Sequence, residues 1–167
     1  MLNKINLIEY FEKGIKSDTE LKIGTEHEKF VLNKFTLKPL SYEEKNGIRD
    51  IFSSLIELGW KPIYEGKDNS IVGLMNGQQN ISLEPAGQFE LSGQPMKNIH
   101  QTCDEITNHL NQMKQVSRKH NFIMLGMGVE PTLDPKDFSW MPKERYTIMR
   151  EYMPSVGKNG LDMMQRT

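Results

Sequence analysis

Residues 82–93 read SLEPAGQFELSG, and the alternation in that string sets the fold class. Ile81 and Leu83 fall on one side of an extended chain, with Ser82 and Glu84 on the other. Beyond Pro85-Ala86-Gly87, Phe89 and Leu91 oppose Gln88, Glu90 and Ser92. Side chains alternate across a strand, so a period of two marks two strands with one apolar and one polar face. The short Pro-Ala-Gly loop makes them antiparallel neighbours, with Glu84 and Gln88 close across the turn. Upstream, IVGLM runs into Asn76-Gly77, a dipeptide that tolerates positive φ in a two-residue hairpin. Together these segments predict a three-stranded antiparallel meander.

A fourth strand is expected over residues 21–32, LKIGTEHEKFVL, from its β-branched and aromatic content. Glu26, Glu28, Phe30 and Leu32 would share one face, and Leu21, Ile23, Thr25, His27 and Val31 the other. Large apolar residues on both faces imply a strand covered on both sides. Glu26 and Glu28 then stand about 7 Å apart, from a rise of roughly 3.3 Å per residue. Partly buried carboxylates at that spacing raise one another's pKa unless a cation compensates, and oxygen-rich ligands suit a hard divalent ion better than zinc. Solvated acids on an exposed edge strand would give the same spacing. A second acid-bearing segment, with Glu84, Gln88 and Glu90, favours a shared site.

Helical spacing of apolar residues predicts a short amphipathic helix over 2–15, another over 44–58 closed by Gly59, and a long one over 98–120. On the long helix the expected stripe is Ile99, Cys103, Ile106, Leu110, Met113 and Val116, which makes Cys103 a small core residue. Residues 60–64 read as an edge strand interrupted by Pro62, FIMLGMGV at 122–129 as a buried strand, and 143–152 as a short helix. The expected architecture is α+β, a curved and mainly antiparallel sheet with flanking helices, in a single domain spanning 1–167.

Composition excludes several functions. A formal net charge of −1 gives no general attraction for nucleic acid or an anionic membrane. No stretch is apolar enough for a signal peptide or a membrane span. One cysteine rules out an internal disulfide and suits a reducing compartment, for which the expectation is the cytoplasm. Neither GxxxxGK[ST] nor GxGxxG occurs, so a nucleotide would not sit on a standard phosphate loop. Arg145, Arg150 and Arg166 read singly as solvated charges. Grouped with Tyr146 in a methionine-rich stretch, they could hold a carboxylate or phosphate.

Several strings taken in order resemble one family. IGTEHEKF, SLEPAGQFELSG with HQTC, LGMG, and ERYTIMREYMPSVG leading into GLDMMQRT are similar to the glutamate-cysteine ligases of the plant and proteobacterial type. Ala86 departs from the pattern, which more often has glycine there. The resemblance implies a carboxylate-amine ligase related in fold to glutamine synthetase, dependent on ATP and Mg2+, joining glutamate to cysteine. It implies that Glu26, Glu28, Glu84 and Glu90 hold the metal, that Gln88 helps bind the cofactor, and that Arg145, Tyr146 and Arg166 meet the amino-acid substrate, with Arg145 catalytic. It also implies that the chain is the front part of a longer catalytic domain, inactive alone. A ligase with another amine acceptor and a non-catalytic metal-binding module are the alternatives.

Overall fold

A computed structural model describes residues 2–166. Six strands form one open antiparallel sheet: β1 (Glu26–Asn33), β2 (Lys61–Glu65), β3 (Ser70–Asn76), β4 (Gln79–Leu83), β5 (Phe89–Ser92) and β6 (Phe122–Leu125), in the order β2-β3-β4-β5-β1-β6. Helices α1 (Lys4–Glu12), α2 (Ile48–Glu57), α3 (Ile99–His120), α4 (Glu144–Val156) and α5 (Gly160–Met163) complete the α+β arrangement. No helix among the described residues is long and apolar enough to cross a membrane.

The meander expected from residues 71–92 is present. Its apolar side, Leu74, Ile81, Leu83, Phe89 and Leu91, is almost completely buried with Ile48, Ile51, Phe52 and Leu55 of α2. The β3–β4 turn sits one residue later than Asn76-Gly77 implies, because Asn76 pairs with Gln79 and the central residues are Gly77 and Gln78. Gly77 alone takes positive φ, 64°, which matches a turn of the II′ kind rather than I′. At the next turn Glu84 N–H donates to Gln88 O (2.9 Å), and Gly87 takes φ 87°. Ala86 is not among the positive-φ residues; its methyl packs with Phe30, Leu32 and Phe138. An alanine there fills space and strains nothing.

β1 is covered on both sides: Val31 joins the main core, while Phe30 and Leu32 join the smaller cluster with Ala86 and Phe138. β2 lies at one edge, carrying Pro62 and a register irregularity between Ile63 and Tyr64. Both features suit an edge.

Other expectations are corrected. The run 122–129 is not a buried strand: β6 covers Phe122–Leu125 at the other edge, and of its residues only Phe122 is buried. α1 forms but buries none of its residues, leaving Leu7, Ile8 and Phe11 exposed. On α3 the buried residues are Thr102, Glu105, His109, Met113, Val116 and His120: Met113 and Val116 of the expected stripe are in the core, with Ile106 packed against it, while in the first half of the helix the buried line lies one position away. Cys103 is accordingly exposed rather than core, and Ile99 is 63% exposed. α4 extends past residue 152 to Val156, with Pro154 inside it.

Candidate functional site

The polar face of the sheet gathers the acids because β1 pairs with β5. Glu28 stands opposite Glu90, and Glu90 stands opposite Ser82 on β4, forming a row across three strands. Glu26 occupies the next position along, opposite Ser92. Hydroxyls orient Glu90: Ser82 Oγ donates to Oε2 at 3.1 Å and Ser92 Oγ to Oε1 at 2.8 Å. Glu84 follows β4 at the start of the tight turn.

Glu28 carries the electrostatic burden of this arrangement. Burial pushes its carboxyl pKa up, and the charges of Glu84, Glu90 and Glu26 push it further the same way. Its Oε2 is enclosed and has no hydrogen-bond partner. Beside it, Glu26 and Glu28 line an open hollow of about 380 Å³ with Gly126, Met127 and Gly128 of the LGMG string. An enclosed carboxylate oxygen without a donor, among like charges, fits a hard cation. Yet no three His, Cys, Asp or Glu side chains among the described residues are grouped closely enough to hold a metal by themselves. A hard cation here would need oxygen ligands beyond these acids, such as water or a substrate phosphate.

Gln88 is completely buried, and its Oε1 accepts from Ala86 N–H at 3.2 Å. Nε2 has no partner. Its amide oxygen is therefore engaged within the turn, and the side chain offers donors, suited to phosphate or carboxylate oxygen rather than to a cation.

The start of α4 docks on the same turn. Met141 N–H donates to Pro85 O at 3.1 Å, and Tyr146 Oη donates to Leu83 O at 2.6 Å. Tyr146 is 2% exposed, and burial raises its hydroxyl pKa to about 12. The same oxygen accepts from Arg145 Nη2 at 3.1 Å, so the hydroxyl is committed to backbone and guanidinium. Arg145 Nη2 lies 3.7 Å from Glu84 Oε1, with the arginine side chain 60% exposed and the glutamate 27%. The guanidinium carbon also lies 5.0 Å from the centre of the Tyr146 ring. Arg166 is exposed and joins Val129 through a backbone bridge, beyond the glycines that line the Glu26–Glu28 hollow.

Sequence reasoning missed Lys143. It is the N-cap of α4, 9% exposed, with its Nζ 5.3 Å from the centre of the Tyr146 ring. Nothing in the string MPKERY distinguishes this lysine from a solvated one. Its position depends on the docking of residues 141–146 against residues 83–85.

Comparison with known proteins places this geometry in context. A family model described as glutamate-cysteine ligase family 2 matches residues 22–167. The chloroplastic glutamate-cysteine ligase of Medicago truncatula is 46% identical over 167 residues, which cover 99% of this chain and 32% of that protein. Chloroplastic glutamate-cysteine ligase A of Oryza sativa subsp. japonica is 48% identical, with 99% and 33% covered. The Arabidopsis thaliana chloroplastic enzyme is 46% identical, with 99% and 31% covered. The chain spans about a third of the length of the curated relatives it matches. Each of these relatives is named chloroplastic, which overturns the expectation of a cytoplasmic location. A single cysteine speaks to disulfides and does not distinguish one reducing compartment from another.

Proposed function

The chain belongs to glutamate-cysteine ligase family 2, and from that premise we propose that the whole protein joins the γ-carboxyl of glutamate to the amino group of cysteine, with ATP converted to ADP and phosphate. The observation that carries the reading is the row Glu28–Glu90–Ser82 with Glu26 and Glu84 beside it, faced by Arg145. A carboxylate is a poor electrophile. In this reading an oxygen of the γ-carboxylate attacks the γ-phosphorus of ATP, the bond to ADP breaks, and a γ-glutamyl phosphate forms. The cysteine amine then attacks the acyl carbon, phosphate leaves, and the amine gives up a proton.

Mg2+, when bound, would screen the phosphates and align them for in-line attack. One or two of Glu26, Glu28, Glu84 and Glu90 would hold it directly and the others would add negative charge around it, and the Ser82 and Ser92 hydroxyls would keep Glu90 in place. Arg145 is suited to stabilise charge on the phosphorylated carboxyl. Tyr146 would act on Arg145, fixing the guanidinium through its hydroxyl. Gln88 would donate to a phosphate or carboxylate oxygen, and Arg166 would serve the amino-acid substrate. Positioning and electrostatics suffice for this chemistry, and no covalent enzyme intermediate is required.

The test is ADP release by the full-length protein with glutamate and cysteine supplied together and singly. The expected result requires both amino acids, and Glu90→Gln lowers kcat at least 100-fold with circular dichroism unchanged. Turnover that persists when other amines replace cysteine would reassign the acceptor. ADP release independent of glutamate would overturn the reading.

A further inference from the structure

Lys143 stands out among the charged side chains around the acid face. The residue is largely buried and its Nζ lies 5.3 Å from the centre of the Tyr146 ring, yet the Nζ is not among the enclosed unpartnered atoms and makes no hydrogen bond or ion pair with any described residue. A lysine held over an aromatic ring at the edge of a hollow presents a positive charge from a fixed position. The backbone fixes that position from both sides: Lys143 N–H donates to Met141 O at 2.9 Å, and its carbonyl accepts from Tyr146 N–H at 3.0 Å. Met141 is in turn bonded to Pro85, next to Glu84.

The surroundings of the tip select its ligand. Burial and then Arg145 lower its pKa, while Glu84, Glu90 and Glu65 lie close enough to oppose that shift. Lys143 also borders a hollow of about 320 Å³ with Glu65, Lys67, Asp68, Glu144 and Thr147. Three acids against two lysines make that hollow a poor receptor for a bare anion. An anion already neutralised in part by a metal fits it better.

On the ligase reading above, we propose that Lys143 Nζ binds a phosphoryl oxygen of the Mg-nucleotide complex, and so acts as a second cation beside Arg145. Glu84 and Glu90 hold the metal side of that complex, and the ammonium meets its phosphate side. The lysine is a point donor, whereas Arg145 presents a planar fork held by the Tyr146 hydroxyl and suited to a carboxylate.

The test uses the full-length protein and its Lys143→Met, Lys143→Gln and Lys143→Arg variants. Methionine preserves an unbranched apolar side chain, and glutamine provides a second neutral variant should methionine fail to fold. Isothermal titration with Mg2+ and ATP, without amino acids, is read alongside KM for each substrate. Lys143→Met is expected to weaken Mg-ATP about tenfold or more, as loss of a charge-assisted hydrogen bond would. It should leave KM for cysteine within twofold, and Lys143→Arg should recover most of the loss. A folded Lys143→Met or Lys143→Gln protein that binds Mg-ATP within twofold of wild type overturns the proposal, as does a loss confined to KM for glutamate, which would make the ligand a substrate carboxylate. Wild-type protein that binds no Mg-ATP would instead overturn the ligase reading itself.

Discussion

At the residue scale, the half-buried Glu28 and the buried His109 make opposite demands on pH. Glu28 has its pKa raised, by burial and then by Glu84, Glu90 and Glu26, so the folded state holds its proton more tightly than the unfolded state does. The charged form at neutral pH therefore opposes folding, and the opposition fades as pH falls towards the ordinary carboxylate range. Glu28→Gln should raise the melting temperature at pH 7 without divalent cation and change little at pH 4. Adding Mg2+ should lift the wild type more than the variant, as differential scanning calorimetry would register. His109 behaves inversely. It is 3% exposed and stacked on Phe89, and burial, then Lys29 and His27, hold its pKa at about 4. The unfolded chain binds that proton near pH 6.5, so stability present above pH 6.5 is lost as pH falls towards 4, by on the order of 3 kcal/mol. His109→Phe should flatten this part of the profile in urea titrations at pH 7 and pH 4.5.

At the scale of elements, α3 shows why hydrophobic spacing alone misplaces a helix face. Its predicted stripe holds Ile99, Cys103 and Leu110, all exposed, and one position away lie the buried Thr102, Glu105 and His109. Polar residues are tolerated inside where each finds a partner. Glu105 Oε1 accepts from Gln94 N–H at 3.0 Å, whereas His109 stacks on Phe89 and keeps a buried Nδ1 without a hydrogen-bond partner. The N-terminal half of α3 also borders a polar cleft of about 630 Å³ between Trp60, Gln94, Glu105 and Gln112, so its inner face need not be apolar. Where α3 ends, Ser54 Oγ of α2 lies 2.8 Å from His120 Nε2, and His120 Nδ1 lies 3.1 Å from Asn46 Oδ1. A neutral His120 satisfies both contacts by donating from Nδ1 and accepting at Nε2. Ser54→Ala leaves that buried nitrogen without a donor, and thermal unfolding should report a loss of about 1–2 kcal/mol, or several degrees.

At the scale of the whole molecule, stability should be unevenly distributed. α1 buries no side chain, while β4 and β5 place Ile81, Leu83, Phe89 and Leu91 at 0–1% exposure. Hydrogen exchange should therefore release the amides of α1 within the shortest labelling times and retain those of β4 and β5 longest. Slow exchange in α1 would show that its apolar residues are covered in solution. The sequence by itself determined the strands of the meander, the two-sided covering of β1 and which residues face the polar side, because a period of two is written in adjacent residues. It also carried the family motifs that gave the acids a chemistry. Only the tertiary structure decided that β1 enters between β5 and β6, setting Glu28 against Glu90 across some sixty residues of chain. It alone buried Thr102, Glu105 and His109 along α3, left β6 at an edge, and set the Lys143 ammonium over the Tyr146 ring. Local alternation encodes the face a side chain takes. Its partner on that face depends on which distant segments bury the most apolar surface together, and no neighbouring residue records that.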